Sequence, residues 1–566
     1  MLHRCYPGLT VIAIGGMLLA GCASAPRAER TQAGRQRSQA AAQTAETNES
    51  GEVDPDLVEA HAHYTMGMIH DADDEPELAL QEFSKAALAD PANEELVLDL
   101  SRRYLQRKQP EQALEVLSRA ASVPNASGAV FARLGLVHSR LGKDEEAVQA
   151  SRTAIKRSPL WLTGYQNLFL IHLQKNRIPE ALAVLEEARK QPGTGAEFLI
   201  DLAELYTNLQ RQAPTQRDVS RAGAKEALQR AAKLNPPGAP ARLRLADGFN
   251  LLGDTTNAAP IYLDLLRRFG DAANLREDVR AKLADIYMRG NEPDKACEQL
   301  EGMVRDNPAN ARAYYFLGSL AYEAKKMPEA EDYYQKALVL GDDFEQGYYD
   351  LAGVQISLDH AKAALDTLKK AQAKFRENFM NEFLIGLAYN REKDFTNAVI
   401  HYTSAELLAR ASEPKRLSQY FYFQAGSAYE RKGDFDGAEQ YFGKALELSP
   451  DFPEALNYFG YMLADRGVKL DRAREMIEKA VKLEPKNPAY LDSLGWVLYK
   501  MKEPGEALPQ ILKAVELTEE ADATLYDHLG DVYAALHETE KAREAWRKSL
   551  TVEPNEQIKK KLEPPN

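Results

Sequence analysis

Small residues recur every 34 or 35 positions along most of this 566-residue chain. The clearest sets, the last of which follows a short insertion, are Gly318, Ala330 and Ala337; Ala352, Ala364 and Ala371; Gly386, Ala398 and Ala405; and Gly426, Ala438 and Ala445. Gly or Ala at such positions lets two helices pack closely, and a fixed period of this length is typical of stacked helix pairs. One pair cannot bury its own apolar face, so we expect stability to come from the stacking of neighbouring pairs.

Bulky apolar side chains occupy the positions between the small residues, for example Tyr314, Leu317 and Tyr334. This pattern resembles the tetratricopeptide repeat (TPR) family over most of residues 60–554, in about fourteen consecutive units. The resemblance implies an all-α fold, an α-solenoid of helix-turn-helix repeats that wind into a right-handed superhelix. It also implies that the first helix of each repeat, helix A, lines a concave groove.

The repeat pattern is interrupted at a few places. Residues 211–221 predict an extra loop in the fifth repeat, and residues 270–274 and 410–418 predict further loop insertions that leave the stack unbroken. The alternative for the fifth repeat is a hinge between two superhelical segments. The predicted segments are therefore an N-terminal TPR segment, residues 57–237, a C-terminal TPR segment, residues 238–554, and a short Lys-rich tail, residues 555–566.

The N-terminus carries an apolar stretch of about a dozen residues, 9–19, which is too short to span a bilayer and has the length of a signal-peptide core. It runs into Leu19-Ala20-Gly21-Cys22, which resembles the lipobox of bacterial lipoproteins. The resemblance implies cleavage of the signal peptide, residues 1–21, and lipidation of Cys22. Ala23 occupies the position at which Gram-negative lipoproteins carry Asp for retention in the inner membrane. The resemblance therefore also implies an outer-membrane anchor that faces the periplasm. An ordinary signal peptide with an incidental cysteine is the alternative.

Residues 22–56 contain almost no large apolar side chain, so we expect a disordered linker after the lipidated cysteine. The three cysteines are Cys5 in the signal, Cys22 at the lipobox and Cys297 in a repeat. This leaves Cys297 without an intramolecular partner, and no disulfide framework is expected. We interpret it as a partly buried helix residue.

Charge and motifs disfavour several classes of function. The formal net charge is −14, with 85 acidic against 71 basic residues, which disfavours nucleic-acid binding. The sequence has no Gly-rich phosphate loop, and His61 and His63 point to different faces of their helix. We therefore expect no catalytic site, no cofactor and no metal site, and a protein that is not an enzyme.

The candidate binding residues lie on the predicted A helices of the C-terminal segment. Aromatic residues predicted to face the groove are Tyr315, Tyr322, Tyr349, Phe383, Tyr420, Phe423, Tyr461, Trp496 and Tyr499. Polar residues at its edge include Asp492, Asp527, Asp531 and Asn457. Aromatic side chains are enriched at binding hot spots, so this stripe predicts a protein- or peptide-binding surface. The alternative is that the rings only pack against the neighbouring helix A.

The last hundred residues resemble the closing repeats of bacterial repeat lipoproteins, through residues 490–499 and 527–531. Some members recruit periplasmic C-terminal-processing proteases to cell-wall hydrolases. The sequence thus predicts a lipid-anchored periplasmic scaffold that binds envelope proteins or peptides in its groove and reaches the membrane through its anchor. The alternative is an assembly factor for an outer-membrane complex such as a pilus secretin or a polysaccharide exporter. The oligomeric state stays open.

Overall fold

The computed structural model of the protein describes residues 54–563. The predicted signal peptide, Cys22 and the predicted linker up to residue 53 lie outside these residues. The first helix begins at Pro55, two residues before the expected start of the repeats at residue 57.

All regular structure in residues 54–563 is helical, which confirms the predicted all-α fold class. The helices are α1 (Pro55–Ala72), α2 (Pro76–Ala89), α3 (Glu94–Gln106), α4 (Pro110–Ala121), α5 (Gly128–Arg140), α6 (Asp144–Arg157), α7 (Leu162–Gln174), α8 (Ile178–Arg189), α9 (Ala196–Gln212), α10 (Arg217–Lys233), α11 (Ala239–Leu251), α12 (Thr255–Phe269), α13 (Ala273–Arg289), α14 (Pro293–Asp306), α15 (Ala311–Glu323), α16 (Met327–Leu340), α17 (Glu345–Ser357), α18 (Ala361–Lys374), α19 (Phe379–Arg391), α20 (Phe395–Ser412), α21 (Gln419–Lys432), α22 (Phe435–Leu448), α23 (Pro453–Asp465), α24 (Leu470–Leu483), α25 (Pro488–Lys500), α26 (Pro504–Leu517), α27 (Ala523–Ala535), α28 (Thr539–Val552) and α29 (Glu556–Leu562).

The chain divides into two compact units between Ala258 and Ala259. Within each unit, odd-numbered helices up to α27 are A helices and even-numbered helices are B helices. Within a unit, A helices pack on the B helix that follows them and several also pack on the next A helix, as α23 does on α24 and α25. This is the nearest-neighbour stacking that the 34-residue period predicts. The boundary that was predicted from the sequence, between the N-terminal and C-terminal TPR segments, lies between residues 237 and 238.

The recurrent glycine of helix A makes room for a large ring on helix B. A methyl group added at Gly426 would come within 2.8 Å of the ring of Phe442, and Gly318 and Gly386 stand in the same relation to Tyr334 and Tyr402. Each ring lies four residues after the first alanine of its set, one helical turn further along helix B. The small residues of the repeat therefore serve the packing of these buried rings.

Two predicted loop insertions are largely helical, and the loop predictions were wrong. Helix α9 continues to Gln212, a 3₁₀ turn follows at Pro214–Gln216, and α10 begins at Arg217. Residues 410–418 likewise contain the end of α20 and the 3₁₀ turn Pro414–Arg416. The extra residues of the fifth repeat lengthen its two helices, and within residues 211–221 only Ala213 and Ser220 are buried.

Gly495 and Gly443 form a matched pair for testing the close packing of helices. A methyl group at Gly495 on α25 would overlap the buried side chain of Ile511 on α26, whereas one at Gly443 on α22 would meet no atom within 4 Å. We expect Gly495→Ala to destabilise the protein by about 1–3 kcal/mol, because it overpacks the core. We expect Gly443→Ala to stabilise it by about 0.5–1 kcal/mol, since alanine has the higher helix propensity. Urea denaturation followed by circular dichroism measures both, and effects of the same sign would contradict the packing.

Candidate functional site

Successive A helices of the second unit are joined by side-chain hydrogen bonds. The hydroxyl of Tyr315 on α15 donates to Asp350 of α17 over 2.7 Å. The side-chain amide of Asn378, the N-cap residue of α19, donates to Glu345 of α17 over 2.7 Å and to the hydroxyl of Tyr349 over 2.8 Å. Two residues predicted to bind a partner, Tyr315 and Tyr349, therefore also connect one repeat to the next.

The predicted aromatic residues in the middle of the second unit differ in exposure. Tyr349 is buried, while Phe383 and Phe423 are partly buried among other rings of the core. Tyr322 and Tyr420 are 39% and 38% exposed. These two rings are thus the predicted groove residues most available to a partner, and the other three contribute mainly to packing.

Phe344 is an exposed ring that the sequence reasoning missed. It is the N-cap residue of the A helix α17, is about as exposed as Tyr322, and meets Tyr315 edge-on with 4.6 Å between ring centres. Tyr420 has a similar edge-on contact with Phe452, with ring centres 5.0 Å apart. We call Tyr322, Phe344 and Tyr420 the exposed A-helix rings.

A stacked aromatic cluster lies at the C-terminal end of the second unit. Trp496 of α25 is only 8% exposed because His528 of α27 stacks on it with 3.9 Å between ring centres. Tyr499 stacks on the same indole at 5.1 Å, and Tyr461 lies 6.2 Å from the His528 ring. The sequence analysis did not select His528, although it lies 36 positions after Asp492, close to the repeat period.

The predicted acidic residues of this end all have partners within the chain. His528 Nδ1 lies 3.0 Å from both carboxylate oxygens of Asp492. Lys561 Nζ donates to Asp527 over 2.8 Å and to Asp531 over 2.7 Å. Asp531 also accepts a hydrogen bond of 3.1 Å from the indole nitrogen of Trp546. Lys561 belongs to α29, so the predicted Lys-rich tail contains a short helix that packs on the last repeat.

Asn457 of α23, the remaining predicted binding residue, lies partly buried on its A helix. Its side-chain oxygen is buried and meets no hydrogen-bond partner among residues 54–563.

Titratable groups elsewhere fit a structural role. His63 and His70 lie 2.5 Å and 2.6 Å from carboxylate oxygens of Glu82 and Glu75. Cys297 is free and partly buried, as the sequence predicted, and burial raises the pKa of its thiol with a further contribution from Glu301. A raised pKa lowers the thiolate fraction and with it the reactivity of this cysteine. Across residues 54–563, no helix combines the length and apolar character required to cross a bilayer.

The carboxyl group of Asp350 gives the A-helix contacts a pH dependence. Burial raises its pKa above the ordinary 3.8, against the hydrogen bonds from Tyr315 and Gln346. The folded chain thus binds this proton more tightly than the unfolded chain, so the stability contributed by Asp350 decreases as pH rises from 3.8 through its folded-state pKa. We expect Asp350→Asn to raise the thermal midpoint at pH 7, because the amide carries no charge to desolvate.

The effect of Asp350→Asn should vanish in acid, where both side chains are neutral. The matched control is Asp332→Asn, which removes the charge of an exposed residue that pairs with Lys336 over 2.6 Å and should change the midpoint little. Thermal unfolding of wild type, Asp350→Asn and Asp332→Asn at a series of pH values measures these midpoints. A lower midpoint of Asp350→Asn at pH 7 would show that the charged form is favoured in the fold.

The sequence matches family models described as tetratricopeptide repeat over residues 129–159, 281–343 and 419–452. Tetratricopeptide repeats, expected from the small-residue period, are therefore confirmed in both units. Together with the helix pairs of residues 54–563, these matches define the fold as a TPR-like α-solenoid.

Two relatives found by sequence comparison match this chain over only part of their own length. Response regulator aspartate phosphatase A of Bacillus subtilis (strain 168) is 25% identical over 147 residues, which are 24% of this chain and 39% of the relative. Protein O-mannosyl-transferase TMTC3 of Homo sapiens is 22% identical over 338 residues, 57% of this chain and 32% of the relative. This chain thus spans less than half the length of either relative.

Among solved structures, the APC/C hetero-tetramer Cut9–Hcn1 is similar to 83% of this chain and 95% of its own matched chain, with 16% sequence identity and a TM-score of 0.38.

Proposed function

We propose that this protein is a lipid-anchored scaffold of the periplasm that binds other envelope proteins through the A helices of its second unit, residues 259–563. The observation that carries the proposal is the set of exposed A-helix rings, Tyr322, Phe344 and Tyr420, held on packed helices of TPR type. Rigid aromatic side chains supply contact area at a low cost in conformational entropy.

The class of partner follows from charge and from the anchor. The net charge of −14 disfavours nucleic acid, and TPR-type A helices offer a surface for an extended peptide or a partner helix. The lipobox-like Leu19-Ala20-Gly21-Cys22 supports anchoring at the outer membrane. We therefore propose an adaptor that holds soluble envelope enzymes, such as a C-terminal-processing protease or a cell-wall hydrolase, near the membrane. In this role the protein is not itself a catalyst.

Crosslinked capture from cell envelopes tests the proposal. The binding variant carries Tyr322→Ser and Tyr420→Ser on A helices, and the matched control carries Val339→Ser and Leu448→Ser on B helices. All four side chains are exposed, so neither variant should lose its fold. We expect wild type and control to recover the same envelope proteins and the binding variant to lose them.

Recovery of the same proteins by all three forms would overturn the assignment of binding to the exposed A-helix rings. Recovery of integral outer-membrane subunits in place of soluble periplasmic enzymes would favour an assembly factor over an adaptor.

A further inference from the structure

The short C-terminal helix α29 occupies the place of an additional A helix on the last repeat. Its Ile558 is buried against Ala542 and Trp546 of α28. Its Lys561 reaches Asp527 and Asp531 of α27, and the spacing of 34 residues between Asp527 and Lys561 is one repeat length. The contact thus has the register of the A-helix contacts elsewhere in the unit, such as that between Tyr315 and Asp350.

The surface beneath α29 is built to receive a cation beside an apolar side chain. We call Asp527, Asp531, Ala542 and Trp546 the terminal surface. The side chain of Asp531 is only 14% exposed, and the ammonium of Lys561 lies 5.8 Å from the centre of the Trp546 ring. A buried carboxylate is costly without a positive partner, so this surface selects a lysine or arginine when it binds another chain.

The terminal surface lies beside the aromatic cluster of the preceding repeat, because Tyr533 of α27 packs both against the core that contains Trp496 and against Ala542, Trp546 and Ile558. Burial raises the pKa of Tyr499, and the charges of Asp531, Lys561 and Asp527 also act on that phenol. Tyr499 in turn stacks on Trp496. The terminal surface therefore lies near Tyr499, a ring that the sequence predicted to bind a partner.

The chain holds α29 with few contacts. The helix has seven residues and a single buried side chain, Ile558, while Glu556, Gln557, Lys559 and Lys560 are exposed. Helices of this length are not stable on their own. The attachment depends largely on the high local concentration that the covalent link provides, so a longer partner helix with more contacts can compete with it.

We propose that the terminal surface is a docking site for a partner helix that carries an apolar residue followed three positions later by lysine, and that α29 occupies this site until such a helix displaces it. The inference rests on the proposed scaffold function and adds the chemistry of one partner segment. It also makes docking at this end competitive, because the partner must remove the chain's own Ile558 and Lys561.

Fluorescence anisotropy with a labelled peptide of residues 555–563 tests this. The tail-released protein carries Ile558→Asp and Lys561→Glu, which oppose the apolar and acidic contacts while keeping the full chain. We expect it to bind the peptide at least about tenfold more tightly than wild type does, because its site is vacant. We expect the binding to be abolished when Asp531→Asn is added to the tail-released protein. It should also be abolished when the peptide carries glutamate at the position of Lys561.

Equal binding by wild type and the tail-released protein, or saturable binding that ignores Asp531→Asn, would overturn the proposal. So would the absence of saturable binding by a tail-released protein with wild-type circular dichroism. A second measurement needs no variant: the amides of α29 in wild type should exchange hydrogen at least about tenfold faster than those of α27. Similar protection of both helices would show that α29 does not leave the surface. These results are separable from the capture experiment, whose variants alter none of the residues of the terminal surface or α29.

Discussion

Replacing Phe442 by alanine should lower the free energy of unfolding of the surrounding repeats by about 3–5 kcal/mol. Phe442 on α22 is fully buried and stacks on Phe459 of α23 with 5.6 Å between ring centres. It also covers Gly426 of α21, which has no side chain to fill the cavity that the substitution leaves. The cost therefore combines lost burial with a cavity that cannot close.

Amide hydrogen exchange shows which helices lose stability in the Phe442→Ala variant. Because a solenoid is held together by contacts between neighbours, we expect the amides of α21 to α24 to lose protection and those of the first unit to keep it. The matched control is Leu448→Ala on the same helix, where the side chain is 56% exposed and the expected change is within about 0.5 kcal/mol. A uniform loss across both units would contradict nearest-neighbour stacking, and a loss no larger than that of the control would contradict the burial of Phe442.

Replacing Cys22 by serine should move the protein from the membrane fraction to the soluble periplasm. The predicted anchor is a lipid on the Cys22 thiol, and a serine hydroxyl cannot form the thioether that bears it. Several acyl chains give stable membrane attachment, whereas a polar linker with none gives no comparable affinity. We expect a nearly complete change of fraction, with no change in the helical circular dichroism of the repeats.

Fractionation and metabolic labelling with a fatty-acid analogue measure this change. Cys297→Ser is the matched control, because Cys297 is a partly buried residue of α14 and should leave labelling and attachment intact. Membrane attachment of Cys22→Ser, or loss of label in the control, would overturn the anchor assignment.

The repeat period predicted the helix pairs well because it reflects a local steric requirement. Gly318, Gly386 and Gly426 must be small for the rings on the next helix to fit, and this requirement is visible in the sequence as a spacing. The boundaries of helices were less predictable. Extra residues at 211–221 suggested a loop, but whether they extend a helix depends on what the added turns pack against.

The exposure of individual side chains on the A helices could not be read from the spacing. Tyr322 and Tyr499 each lie four positions after the glycine of their repeat, yet Tyr322 is exposed whereas Tyr499 is partly buried and stacks on Trp496. The docking of α29 was also not visible in the sequence. A Lys-rich tail is usually solvated, and only the position of Lys561 one repeat length after Asp527 signals an A-helix contact.

The central claim is that partners bind to the A helices of the second unit, and site-specific photocrosslinking in living cells tests it most directly. A photoreactive amino acid is placed singly at Tyr322 or Tyr420 on A helices, and at Val339 or Leu448 on B helices as exposed controls. We predict discrete adducts with envelope proteins from the A-helix positions and none from the B-helix positions. Adducts from the B-helix positions alone, or no difference between the two sets, would contradict the claim.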